Sequence, residues 1–188
     1  MRVSPASLVS AVGLGLALIL AGCDAAGPTD TVILSENSPE APTVEYSFFY
    51  DTNGSAAIGV RSDEADNLSS ILEENGFRRS DVVSARVDSV KLERISPKGV
   101  LFRKVFDYLT GATVHLGANA DGPRIAEAAF QTTDRSVTLP VRTADVTDVV
   151  KSGPSPAFLR LDTADDAPDQ RRDRVEVTVY FRIEVRGV

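Results

Sequence analysis

From Val175 to Arg186 the chain alternates without interruption. Val175, Val177, Val179, Phe181, Ile183 and Val185 are apolar, whereas Glu176, Thr178, Tyr180, Arg182, Glu184 and Arg186 are polar or charged. Side chains of a strand point to its two faces in turn, so this pattern predicts a strand with one buried and one wet face. Such strands belong to antiparallel sheets that cover a core on one side only. A lipid-facing barrel strand also alternates, but the other segments are shorter and irregular and no aromatic girdles recur.

The remaining segments fit the same class. Val44–Tyr50 reads as a strand, and Asn53-Gly54 after it is a strong hairpin signal, which makes Ala56–Arg61 the expected partner. Over Val82–Ile95, Val83, Ala85 and Val87 share one parity and Val90 and Leu92 the other, so a β-bulge is expected near Asp88-Ser89. Further strands are expected at Gly111–Leu116, Arg124–Phe130, Ser136–Arg142 and Ala157–Thr163. The clearest helix carries Leu68, Ile71 and Leu72 on one stripe. Asn67 or Ser70 is its expected cap, Ser70 and Glu73 are spaced as a capping box, and Gly76 stands where a C′ glycine belongs. Val100–Leu109 fits a short helix or an ordered loop, and Ala144–Lys151 one or two helical turns before Gly153-Pro154. Seven or eight short strands with regular turn signals predict an antiparallel β-sandwich, Ig-like or related, with one short helix, over residues 44–188.

The amino terminus follows a different pattern. Arg2 gives a modest positive start, Leu8–Leu20 is almost wholly apolar or small, and Leu20-Ala21-Gly22-Cys23 closes the run. This is the three-part pattern of a secretory leader, and it is too short for the roughly 20 apolar residues of a spanning helix. Leu20–Cys23 resembles the lipobox of bacterial lipoprotein precursors. The resemblance covers residues 1–23 and implies cleavage between Gly22 and Cys23, a diacylglycerol on the Cys23 sulfur and an acylated new amino terminus. It makes 1–22 a signal peptide and attaches the protein to a membrane through acyl chains, with the domain in the periplasm or outside the cell. Each buried methylene contributes about 0.8 kcal/mol to such anchoring. Asp24 follows the cysteine and leaves inner and outer membrane both open. Residues 24–43, with Gly27-Pro28, Ser38-Pro39 and Ala41-Pro42, read as a flexible tether in which Val32-Ile33-Leu34 is an apolar exception able to pack as an arm.

Composition narrows the partners. The formal charge of −7 becomes −8 when the leader takes Arg2 with it, and the cations are mostly arginine. An acidic surface disfavours phosphate backbones and anionic headgroups, so no nucleic acid is expected and the acyl chains must supply the membrane grip. Tryptophan is absent, which weakens a role as a sugar-stacking platform.

Side chains with chemistry are few. Asp162, Asp165, Asp166 and Asp169, with Asp173 beyond them, gather between the last two strands and are weak Ca²⁺ candidates. Their spacing departs from the calcium-loop pattern, Pro168, Arg171 and Arg172 intrude, and a solvated loop with balanced charge fits better. His115 is the single histidine and sits on the polar parity of its strand, with no nucleophile elbow anywhere. One histidine and one acylated cysteine exclude a His/Cys zinc site by count. No catalytic residue, metal or cofactor is therefore assigned. The expected role is non-enzymatic, holding an envelope protein or polymer near the membrane through a sheet edge or the loops at one end. The alternative is a hydrolase of envelope or extracellular polymers acting through loop carboxylates.

Overall fold

The computed structural model of the chain describes residues 31–34, 42–51, 55–62, 64–95, 108–129, 136–165 and 172–186. Its strands are β1 (Thr31–Leu34), β2 (Thr43–Asp51), β3 (Ala57–Arg61), β4 (Val82–Arg94), β5 (Leu109–Leu116), β6 (Arg124–Ala129), β7 (Ser136–Leu139), β8 (Ala157–Thr163) and β9 (Arg172–Arg186). Two short helices, α1 (Leu68–Glu74) and α2 (Thr147–Ser152), and a 3-10 turn at Arg79–Asp81 complete it. The protein is mainly β and built of two antiparallel sheets, as expected.

The alternating carboxy-terminal segment is the spine of the first sheet. β9 pairs with β4 along one side, and β7 extends the sheet beyond β4. Along its other side β9 holds β2, from Thr43 opposite Tyr180 to Asp51 opposite Arg172, and then β1, from Leu34 opposite Ile183 to Thr31 opposite Arg186. β1 and β2 thus lie end to end on one edge. The second sheet runs β3-β8-β5-β6. One core cluster draws on both sheets: Val175 to Val185, Val44, Tyr46, Phe48, Val90 and Leu92 from the first, Val114, Leu116, Ile125, Leu159 and Leu161 from the second. Burying a valine, leucine or phenylalanine side chain is worth about 1.5–3 kcal/mol, so this shared layer is the main term holding the two sheets face to face.

Several local expectations are met. The register of β4 slips between Val87 and Ser89, where the parity of the sequence changes. Gly76 has φ 81°, and the Gly76 and Phe77 amides donate to the carbonyls of Glu73 and Leu72, which is a Schellman termination of α1.

Other expectations are corrected. Val32-Ile33-Leu34, which the sequence reading placed in a flexible tether, belongs to strand β1, so the described sheet starts at Thr31, ahead of the expected domain start at Val44. β2 and β3 do not form a hairpin; β2 pairs with β9 and β3 with β8, in different sheets. The Asn53-Gly54 turn lies outside the described residues. α1 starts at Leu68, so Ser70 is inside it and the Ser70/Glu73 box does not form. The Leu68 amide instead donates to the Asp66 carboxylate at 3.0 Å. A second slip in β4, between Val82 and Ser84, puts Val82 in the core and Val83 in solvent, against the parity of the sequence. The strand expected at Ser136–Arg142 stops at Leu139. After Pro140 the chain crosses to the second sheet, where Val141 bridges Ala126. Most of Val100–Leu109 lies outside the described residues.

Candidate functional site

Among the described strands β2 is the longest that pairs on one side only. The Phe181 amide donates to the Pro42 carbonyl at 2.9 Å, which sets the phase of the ladder. Hydrogen-bonded and non-bonded pairs alternate in an antiparallel ladder. Val44, Tyr46, Phe48 and Tyr50 therefore turn their backbone groups to β9 and their side chains to the core. The amides and carbonyls of Glu45 and Ser47 point away from β9, and their side chains lie on the outer face.

A groove runs along this edge. Thr43, Glu45, Glu64, Ala65 and Asn67 line a cavity of about 300 Å³. Glu45, Ser47, Phe49, Glu64 and Arg174 line the next, of about 290 Å³. Glu45 and Glu64 are common to both, so the two form one channel between β2 and the loop leading into α1. Phe49 is 43% exposed, and the Arg174 guanidinium stands 5.5 Å from its ring centroid. Arg174 Nη2 donates to Ser47 Oγ at 2.8 Å, while its buried Nε has no hydrogen-bond partner among the described residues. An apolar ring, a cation and two carboxylates are thus ranged beside backbone groups that face outward.

The outer face next to the groove is acidic. Glu176 lies opposite Ser47 on one side and Glu93 on the other. Partial burial, then the charge of Glu45, then that of Glu93, push the Glu176 carboxyl above the usual range, against the opposing pull of Arg174 and Lys91. Lys91 is ion-paired with Glu93 at 2.8 Å. Glu45, Glu93 and Glu176 stand together on the outer face of the sheet.

The residues singled out by sequence fall elsewhere. Gly22, Cys23, Asp166 and Asp169 lie outside the described residues. Asp162 is half-exposed and 3.4 Å from Arg160 Nε, and Asp165 is exposed. No group of three or more His, Cys, Asp or Glu placed to hold a metal occurs among the described residues. His115 Nδ1 is 2.9 Å from the Gly122 carbonyl, and its ring meets Phe158 edge-on at 6.3 Å, so it secures the β5–β6 loop. Asp173 is corrected from loop charge to core. It is buried opposite Tyr50 in β9 and accepts a hydrogen bond from the Tyr108 hydroxyl, which lies 3.0 Å from that of Tyr50. Burial foremost, then these bonds, raise the Tyr108 hydroxyl far above the usual range. Its position was legible: Asp173 shares the parity of Val175 and Val177. The groove was not, because it joins β2 to a loop and to β9.

No protein-family profile matches the chain, and no curated protein is similar to it. Two solved structures, those of infectious bursal disease virus strains Gt and Gx, match at 14% and 13% identity, each with a TM-score of 0.31. The matches cover 95% and 93% of this chain but 37% and 36% of the viral ones. Likeness at that level carries no argument about this chain. No described helix is long and apolar enough to cross a membrane.

Proposed function

We propose that the protein is an envelope lipoprotein whose domain binds an extended segment of a partner protein along the β2 edge. The observation that carries this reading is the edge itself: outward backbone groups at Glu45 and Ser47 beside a groove containing Phe49, Arg174, Glu45 and Glu64. An added strand gains affinity from main-chain hydrogen bonds and specificity from alternate side-chain pockets. The groove has room for side chains on one face of such a strand, and its carboxylates favour lysine or arginine there, with an apolar residue against Phe49. The acyl chains on Cys23 keep the edge at a membrane, so the partner is an envelope component and the role is non-enzymatic.

The test is capture from detergent-solubilised envelopes by wild type and by Glu45→Pro. The Glu45 amide faces away from β9, so proline there spares the internal ladder and blocks an incoming strand. The reading expects a captured protein that is lost with Glu45→Pro. Equal capture by both forms sinks it. Mass spectrometry of the purified chain decides the anchor separately: a mature chain starting at Cys23 with acyl mass supports it, and a free thiol overturns it.

A further inference from the structure

Four large apolar side chains are strongly exposed among the described residues, and three of them lie at one end of the first sheet, Val32 on the face of Val185, Ile33 on the outer face beside Glu184 and Val83 at the β4 bulge. Val32 is 39% exposed, Ile33 56% and Val83 46%; the fourth, Phe49, belongs to the groove. The register explains the grouping. Val32 and Val82 both pair with Val185, while Ile33 and Ser84 both pair with Glu184. Neighbouring strands lie about 4.8 Å apart, so β1 and β4 bring Ile33 and Val83 within about 10 Å of each other across β9. Val83 owes its exposure to the bulge between Val82 and Ser84. A bulge re-aims a side chain, and this one turns outward a valine that uninterrupted parity would have buried.

The patch sits where the chain comes in from the anchor. Thr31 pairs with Arg186, so β1 begins at the carboxy-terminal end of β9, beside the start of β4. Cys23 precedes Thr31 by eight residues. At about 3.5 Å per residue the extended chain between them spans at most about 28 Å. Pairing of β1 therefore shortens the leash from the twenty-residue tether read in the sequence to less than half of it.

We infer that this end of the first sheet rests on the lipid bilayer, with Val32, Ile33 and Val83 seated in its interface. The inference relies on the acylated Cys23 of the proposed function. Three small aliphatic side chains would bind lipid weakly alone. A short leash raises their effective concentration at the surface enough for weak contacts to hold. Docking sets the β9 axis upright on the membrane and places the Phe49 end of the β2 groove farthest from it.

The experiment uses the full acylated protein in phosphatidylcholine vesicles that carry doxyl-labelled lipid. The mature chain has no cysteine besides Cys23, so a fluorophore can be placed through Ser84→Cys beside the patch, or through Phe49→Cys at the far end. The expected result is several-fold stronger quenching at position 84 than at 49, falling to the level at 49 when Ile33→Ser and Val83→Ser are added. Equal quenching at the two positions, or no effect of the serine pair, on protein whose acylation is confirmed by mass overturns the docking alone. Absence of acyl mass overturns the anchor, and the docking with it.

Discussion

The guanidinium of Arg79 in the 3-10 turn donates to the buried carboxylate of Asp66, just ahead of α1. Their side chains are 11% and 3% exposed. Every remaining arm of the pair is also engaged. Arg79 Nε donates to Ser69 Oγ at 2.7 Å, and Nη1 to the carbonyls of Val150 and Gly153 at 2.7 and 3.1 Å. Asp66 accepts from the Leu68 amide at 3.0 Å and the Ser155 amide at 2.6 Å. Two helices, the 3-10 turn and the entry to β8 are clipped together by one ion pair. The sequence shows no motif for it.

Asp66→Ala removes the acceptor and leaves a cation in a dry site. Breaking a buried pair from one side costs about 3–5 kcal/mol. Urea unfolding is expected to show a loss in that range. A loss as small as that of an exposed pair such as Arg160–Asp162 would mean that water reaches Arg79.

Glu176 gives a pH-dependent prediction. Its carboxyl is raised in the folded state, so the fold binds that proton more tightly than the unfolded chain does. Charge on Glu176 therefore opposes folding above the raised value, and the penalty fades as pH falls through it. Glu176→Gln is expected to melt higher than wild type at pH 7, with the difference closing as pH drops below the ordinary glutamate range. A variant that melts lower at pH 7 would contradict a Glu176 carboxyl raised by burial and by the charges of Glu45 and Glu93.

Gly122 is fixed by a close approach. A Cβ there would stand 2.0 Å from the Leu116 carbonyl oxygen, which is backbone held in β5. Overpacking of this kind costs about 1–3 kcal/mol or more, so Gly122→Ala should unfold at clearly lower denaturant. At Gly59 the added Cβ meets the Phe158 ring, 2.7 Å from Cζ, and that ring can swing outward. Gly59→Ala is therefore expected to cost less, and a ranking in the other order would refute this reading of the two glycines.

Proline substitution separates the two parities of β2. Tyr46→Pro removes an amide that faces β9, together with a core ring, and is expected to lose about 3 kcal/mol or more. Glu45→Pro should stay close to wild type in thermal melts. Comparable losses at both positions would show that the Glu45 amide is used within the fold.

Much of this was written locally. The buried face of β9, the bulge at Asp88-Ser89 and the Gly76 termination of α1 each depend on residues within a turn or a few positions of one another. Period-two alternation reports which face of a strand is dry, and a glycine after an apolar stripe reports where a helix stops. Asp173 was legible in the same way, by its parity.

Pairing was not. The Asn53-Gly54 signal describes a turn and leaves open which strands flank it in a sheet, so β2 went to β9 and β3 to β8. The second bulge, which exposes Val83, the docking of β1 on β9 and the Asp66–Arg79 clip all depend on partners far along the chain. A strand's sequence determines its own two faces because side-chain direction is a property of its backbone. Its neighbour is chosen by packing of the whole core, and only the assembled sheets settle that choice.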